Sequence, residues 1–220
     1  MKSKRAIHRL STSNHNTPKM SEEQHPLRPF LPEGTRIVFL GSFPPQQKRW
    51  CIDFFYPNYI NDHWRIMGLV FFGNKMHFVD ESRRTFRLDA IRQFASSVGI
   101  GYYDTATVVR RTRDNASDKF LEVVTPTDIA ALVAPLHHLQ AIAVTGELAA
   151  QTLCNTLHID TAPAVGSFVE YNLPATDNNE RRNPIRIYRL PSSSRAYPLP
   201  IEKKAAVYQK MFTDLNIYSR

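Results

Sequence analysis

Short apolar runs alternate with helix-patterned stretches along most of this chain, and that alternation restricts its fold more than any other feature. Arg36–Leu40 (Arg-Ile-Val-Phe-Leu) breaks at Gly41-Ser42, Ile100–Asp104 ends in a carboxylate, and Gln140–Thr145 ends at Gly146. Phe168–Asn172 and Ile185–Leu190 are two further runs, joined by the polar segment 174–184. Runs this short, bounded by turn formers, read as buried strands. Between them lie helical patterns. Trp64, Met67 and Phe71 fall at i, i+3 and i+7, with Asn61 where an N-cap sits. Thr85–Val98 is a second expected helix, stopped by Gly99. Thr125-Pro126-Thr127-Asp128 reads as a capped start with proline in the first position, for a helix running toward Leu136 and kinked or ended by Pro135. Glu147–Leu157 and Ile201–Leu215 complete the set. Strand–helix alternation predicts an α/β fold on a mostly parallel sheet. In such sheets ligands bind beyond the carboxyl ends of the strands, which directs attention to the loops 41–60, 104–118, 146–147 and 190–198.

The chain has 220 residues, 42% of them hydrophobic, enough for one core. The expected organisation is a disordered basic lead over residues 1–30 and a single domain over 31–220, with the globular pattern beginning near Phe30 and Met20 a candidate start. No apolar run is long enough to span a bilayer, and the first thirty residues lack the apolar stretch of a secretory signal, although they weakly resemble a transit peptide. Two cysteines, Cys51 and Cys154, form no CxxC pair. A zinc or four-cysteine iron–sulfur site is therefore unsupported, and a reduced cytoplasmic compartment fits. Charge is unevenly divided. Residues 1–30 carry six Lys/Arg and two acids, residues 31–180 thirteen and sixteen, residues 181–220 nine and two. The last forty residues thus hold most of the net +8. A basic end on a mildly acidic body suits either an anionic partner, most simply nucleic acid, or a plain solvated surface.

Several residues at these loops could carry chemistry. Ser42 and Phe43 follow a strand, and Pro44-Pro45 stiffen the turn. Phe54, Phe55 and Tyr56 sit outside any regular core pattern. They are either core filler under a long loop or aromatic faces on which an extruded base could stack. Asn61 is either a helix cap or an amide that binds a base edge or a water. Asp104 ends a strand and could be an acid, a base or a loop organiser. Beside it, residues 104–118 hold Arg110, Arg111, Arg113, Asn115, Ser117 and Asp118. His63 lies close by without an evident acidic partner. In Leu190-Pro-Ser-Ser-Ser-Arg-Ala-Tyr-Pro198, the hydroxyls of Ser192, Ser193 and Ser194, the backbone amides and Arg195 suit phosphate oxygens. No Ser-His-acid, Walker or Rossmann pattern is present.

Gly41-Ser42-Phe43-Pro44-Pro45 resembles the first motif loop of the uracil-DNA-glycosylase superfamily, and Leu190-Pro191-Ser192-Ser193-Ser194 resembles its second, in the form of the hypoxanthine-DNA-glycosylase branch. Phe55-Tyr56 match that branch's aromatic pair, and Asn61 to Trp64 fill its Asn-x-Phe-Trp positions. Ile100–Asp104 and Asn115-Ala116-Ser117-Asp118 resemble its middle segment. The resemblance covers residues 34–215. There are departures: Phe43 stands where mismatch-type enzymes carry a catalytic Asn, Asn58-Tyr59 replace a His-Pro, and Leu190 replaces an Asn.

The resemblance implies a three-layer α/β/α sandwich and a monomeric enzyme of base excision repair that hydrolyses the N-glycosidic bond of a deaminated base in DNA, without metal or organic cofactor. It implies catalytic roles for Asn61 and Ser42, the latter through backbone amides near Ser42 and Phe43. It implies base contacts from Phe43, Phe55, Tyr56 and Asn58, DNA contacts from Ser192, Ser193, Ser194, Arg195 and Ala196, and an organising role for Asp104. A nucleic-acid-binding protein of the same fold that has lost catalysis, and a hydrolase of small nucleosides or nucleotides, are the alternatives.

Overall fold

The computed structural model describes residues 21–113, 118–174 and 183–217. Its centre is a five-stranded sheet made of β2 (Ile37–Gly41), β5 (Ile100–Asp104), β8 (Ala141–Thr145), β9 (Ser167–Tyr171) and β10 (Ile185–Leu190), in the order β5-β2-β8-β10-β9. The first four in that order run parallel, and only β9 is antiparallel. The expected α/β class is therefore the one observed. β2, β5 and β8 are buried at every position, as strands covered on both faces must be.

Helices α1 (His63–Phe72), α2 (Leu88–Val98) and α5 (Ile201–Asp214) share one face, joined through Phe71, Phe94 and Phe212, whose rings lie 4.8 Å apart in successive pairs. On that face Phe39 stacks with Tyr102 and Tyr208. The short α3 (Ile129–Val133) packs with α4 (Glu147–Leu157), which lies on β8. Going from β2 to β5 the chain moves one way across the sheet. From β5 to β8 and on to β10 it moves the other way, and right-handed crossovers then place the two helix sets on opposite faces. The reversal makes a crevice beside β2 at the carboxyl edge. Register lines up that edge: Gly41 pairs with Asp104, and Thr145 with Leu190.

Three regions differ from the sequence expectation. Thr85-Phe86 is not helical but forms β4, paired with β3 (Val79–Asp80), so α2 begins only at Leu88. Gly99 stops α2 as expected, in the left-handed conformation at φ 78°. Pro126 starts no helix. It ends β7 (Leu121–Pro126), and α3 begins two residues after Thr127, capped by Asp128, whose carboxylate accepts from the Ala131 N–H at 3.0 Å. The segment 104–118, expected as a loop, contains β6 (Ala106–Arg111), which pairs with β7 and with β1 (Glu22–Gln24) in a second, antiparallel sheet.

β1 falls within the stretch expected to be disordered. Residues 21–30 instead form a strap across the domain. Arg110 pairs with Glu22 and Glu122, Arg111 pairs with Glu23, and Phe30 exchanges two backbone hydrogen bonds with Tyr102 at 2.8 and 3.0 Å. Hydrophobic patterning could not reveal β6 and β7, because Ala106 and Val109 are the only fully buried positions of that sheet and charge pairs help to hold it. Residues 1–20 and 114–117 lie outside the described residues, which include neither Asn115 nor Ser117. Among the described residues no helix is long and apolar enough to cross a membrane.

The strap carries packing as well as pairing, since Phe30 meets the Phe54 ring edge-on at 5.0 Å. A chain starting at Leu31 should lose roughly 2 kcal/mol or more of unfolding free energy, measurable by urea denaturation. An unchanged midpoint would show that the strap does not stabilise the domain.

Candidate active site at the carboxyl edge of the sheet

A cavity of about 520 Å³ opens at the crevice. The loop after β2, the loop before α1, the ends of β5 and β8, and the loop after β10 all reach it, so the predicted loops do converge. Ser42, Phe43, Phe55, Tyr56, Asn58, Asn61, Asp104, Ser192, Ser193, Ser194, Arg195 and Ala196 all line it. A wider hollow of about 700 Å³ lies at the amino edge, beside Arg36, Arg186 and His137. Its two arginines are committed to the main-chain carbonyls of Leu215, Asn216 and Asp214.

Two carboxylates reach the cavity from one side. Asp104 Oδ2 accepts from His25 Nε2 at 2.9 Å, and this nitrogen must carry the hydrogen because a carboxylate can only accept. The other oxygen, Oδ1, lies over the Cα of Gly41, where any Cβ would collide with it. Glycine is required there for close approach, not for an unusual backbone angle. Thr127 Oγ1 donates to the Asp104 main-chain carbonyl at 2.7 Å and fixes the backbone behind it. The second carboxylate, Asp118, accepts from Ser42 Oγ at 2.7 Å. Burial, and then the like charge of Asp104, push the Asp118 carboxyl above its ordinary value, against the pull of Ser42 and Arg111. The Ser42 hydroxyl is thus engaged by Asp118. Asp118 was seen in the sequence only as one of several polar loop residues, and His25 was hidden in the supposed lead.

The aromatic residues divide. Phe54 and Phe55 are 3% exposed, and Phe55 stacks on Tyr102 and meets Phe54 edge-on. The core-filler reading describes them, with Phe55 forming part of the cavity wall. Phe43 packs with Ala106 and Val109 in a small separate cluster. Tyr56 is different. Its backbone is left-handed at φ 50°, its ring lies flat on His63 at 3.8 Å, and its hydroxyl bonds Thr145 Oγ1 at 2.9 Å. Burial pushes the phenol well above its ordinary value, so it stays neutral. His63 is fully buried and held far below the usual histidine range by burial, with Nε2 on the Tyr102 hydroxyl and Nδ1 unpartnered. It supports the Tyr56 ring as a neutral imidazole.

Asn61 caps the helix in part: Asp62 occupies the N-cap position, yet Asn61 Oδ1 accepts the His63 N–H at 2.9 Å. Asn58 Oδ1 does the same for the Ile60 N–H at 3.1 Å. Because a side-chain amide accepts only through its oxygen, both side chains are oriented. Their NH₂ groups, with no partner among the described residues, are the ends left for a ligand.

The 190–198 loop is clamped from below. Arg195 Nε pairs with Asp62 Oδ1 at 3.0 Å, the Asp62 N–H donates to Ser193 O at 3.0 Å, Lys204 Nζ donates to Ser194 O at 2.7 Å, and the Tyr208 hydroxyl donates to Pro191 O at 3.2 Å. Within the loop, Ser192 and Ser194 accept the N–H groups of Ser194 and Ala196. The N–H groups of Ser193 and Arg195 have no acceptor among the described residues. Burial holds Lys204 below the usual lysine range, with Asp62 opposing and Arg195 adding to the shift. One carboxylate, Asp62, therefore faces three cations: Arg65, Arg195 and Lys204.

No protein-family model and no curated protein matches the chain. Its fold is similar to a solution NMR structure from Methanosarcina acetivorans, a protein whose description as a uracil DNA glycosylase is itself provisional. The TM-score is 0.54 at 19% identity, over 86% of this chain and 96% of that one. At this identity the likeness establishes the fold: α/β, with a central, mostly parallel sheet.

Because ionised Asp118 is disfavoured in the folded protein, its cost is present at neutral pH and disappears as pH falls through the folded value. Asp118→Asn should therefore raise the melting temperature at pH 7, and that gain should vanish in acid. A variant less stable than the wild type at pH 7 would contradict this account.

Proposed function

We propose that the protein is a monofunctional DNA glycosylase that hydrolyses the N-glycosidic bond of a deaminated base, uracil or hypoxanthine, in DNA. The observation carrying the proposal is a cavity in which Asp104 and Asp118 share the lining with the amide donors of Asn58 and Asn61. Its volume lies within the range of ~300–1,000 Å³ typical of small-molecule sites. The fold likeness to a protein provisionally described as a uracil DNA glycosylase agrees with it.

The chemistry follows from donor and acceptor placement. A flipped nucleotide would bring its base into the cavity beside the Tyr56 ring. As the bond from C1′ to the base nitrogen breaks, its electron pair leaves with the base, and positive charge develops on the sugar. A carboxylate beside that sugar stabilises the charge. Water then bonds to C1′ and gives up a proton to that carboxylate, and the base anion is protonated on release. Asp104, fixed by His25 and Gly41, suits the carboxylate role.

The Asn61 oxygen is engaged by the His63 N–H, so its working end is a donor. It suits a carbonyl oxygen of the departing base, where negative charge grows, and it is a poor acceptor for water. Lys204, the buried amine behind the loop, donates to Ser194 O and is not among the residues lining the cavity, which favours water as the nucleophile. On the 190–198 loop, the free N–H groups of Ser193 and Arg195 and the half-exposed Arg195 guanidinium suit backbone phosphates.

Wild-type protein should release free base from oligonucleotides carrying a single uracil or hypoxanthine. No release from either, single-stranded or duplex, would refute the reading. Asn61→Ala should slow single-turnover release by about 100-fold while DNA binding persists. Arg195→Ala should leave stability within about 1 kcal/mol, weaken binding to all sequences alike, and lower the salt slope by about one. An unmoved slope would remove Arg195 from the DNA contacts.

A further inference from the structure

His25 belongs to the strap, 79 positions before the carboxylate it meets. Its ring is wedged between Tyr103, at 4.6 Å, and Phe43, at 5.2 Å, with Phe55 at 6.4 Å. The side chain is 3% exposed. The slot is aromatic, and a phenyl ring would fill it. An imidazole buried there costs free energy unless both nitrogens are met. They are: Nδ1 lies against the Leu27 main chain, 2.8 Å from O and 3.1 Å from N, and Nε2 against Asp104.

Holding the strap down does not require this bond. β1 pairs with β6, the His25 N–H donates to Thr107 O at 2.8 Å, Glu22 and Glu23 pair with Arg110 and Arg111, and Phe30 is bonded to Tyr102 on the far side. The strap is thus anchored both before and after His25. What the imidazole adds is control of one carboxylate. With Oδ2 on His25 and Oδ1 against the bare Cα of Gly41, the plane of the Asp104 carboxylate has little freedom.

We propose that His25 is a positioning residue of the active site: its Nε2–H sets the orientation of the Asp104 carboxylate in the cavity, which makes the N-terminal strap a working part of the site. The catalytic half of this inference rests on the glycosylase reading. The positioning half does not.

The test compares wild type, His25→Phe and His25→Gln as full-length proteins. Phenylalanine keeps the packing and removes the donor, and glutamine restores a donor. The first readout is the ¹³C signal of the Asp104 carboxyl carbon at fixed pH, assigned with Asp104→Asn. It should shift in His25→Phe and return toward the wild-type position in His25→Gln. The second is single-turnover base release with DNA affinity measured alongside. His25→Phe should slow release by at least about tenfold at an affinity within about twofold of wild type, and His25→Gln should recover most of the rate.

An Asp104 signal that is the same in wild type and His25→Phe overturns the proposal whatever the activity. A shifted signal with an unchanged release rate overturns its catalytic half. A wild type that releases no base, with the signal shifted as expected, refutes the glycosylase reading and leaves the positioning role standing. Should His25→Phe fail to fold, an unshifted Asp104 signal in His25→Leu would overturn the proposal on the same terms.

Discussion

The contact between Asp104 and Gly41 is the constraint around which the site is organised. β2 and β5 are neighbours in register, so their last residues stand side by side at the edge of the sheet. Any side chain at position 41 would occupy the space of the carboxylate oxygen. Once that contact is made, much of the surrounding geometry follows. The chain after Gly41 must turn away through Ser42, which brings the hydroxyl to Asp118. The Arg111 guanidinium then holds the Pro44 carbonyl at 3.1 Å, tying the first loop to the second sheet. Strand register thus places Asp104 in the cavity wall, and the connection between β6 and β7 adds Asp118 beside it.

The opposite wall is built on a different principle. There the loop before α1 and the loop after β10 are joined by a charge cluster in which Asp62 answers three cations. An excess of positive charge around one carboxylate is tolerable because Arg195 remains half in water, while the Lys204 ammonium is met by the Ser194 carbonyl and attracted by Asp62. A main-chain bond from the Asp62 N–H to Ser193 O reinforces the join. The two loops therefore behave as one unit, and a force on Arg195 is transmitted through Asp62 to the start of α1, where His63 begins the helix and Asn61 precedes its cap.

The central sheet could be read from sequence with little error because its strands are buried on both faces and its helices carry ordinary stop signals. Ile37–Gly41, Ala141–Thr145 and Glu147–Leu157 came out within a residue or so, and Gly99 ended its helix as its type demands. The second sheet could not be read this way. β6 and β7 bury only Ala106 and Val109, and Arg110 and Arg111 hold them to the strap by pairing with Glu22 and Glu23, a relation across some 88 positions that no local pattern encodes. The site was legible to a similar degree. Loop positions at strand ends named the lining residues, since the parallel fold itself puts them there. What could not be seen was which atom of each residue is free. Asn61 and Asn58 reveal only in three dimensions that their oxygens are taken and their amides remain, and Phe55 that its ring is packed into the core. His25 lay in a polar, basic stretch whose composition resembles disorder, and only the Asp104 carboxylate gives it a purpose.

The strap also has a consequence for how the molecule comes into being. During synthesis His25 leaves the ribosome long before the residue it must meet, and β1 has no partner until β6 exists. Contacts of such long sequence separation form late, because a large loop must be closed before they contribute anything. The strap segment therefore waits through the making of β2, α1, α2 and β5, with its glutamates and histidine exposed to water. The acidic wall of the cavity acquires its final shape only when this oldest piece of the domain folds back over it.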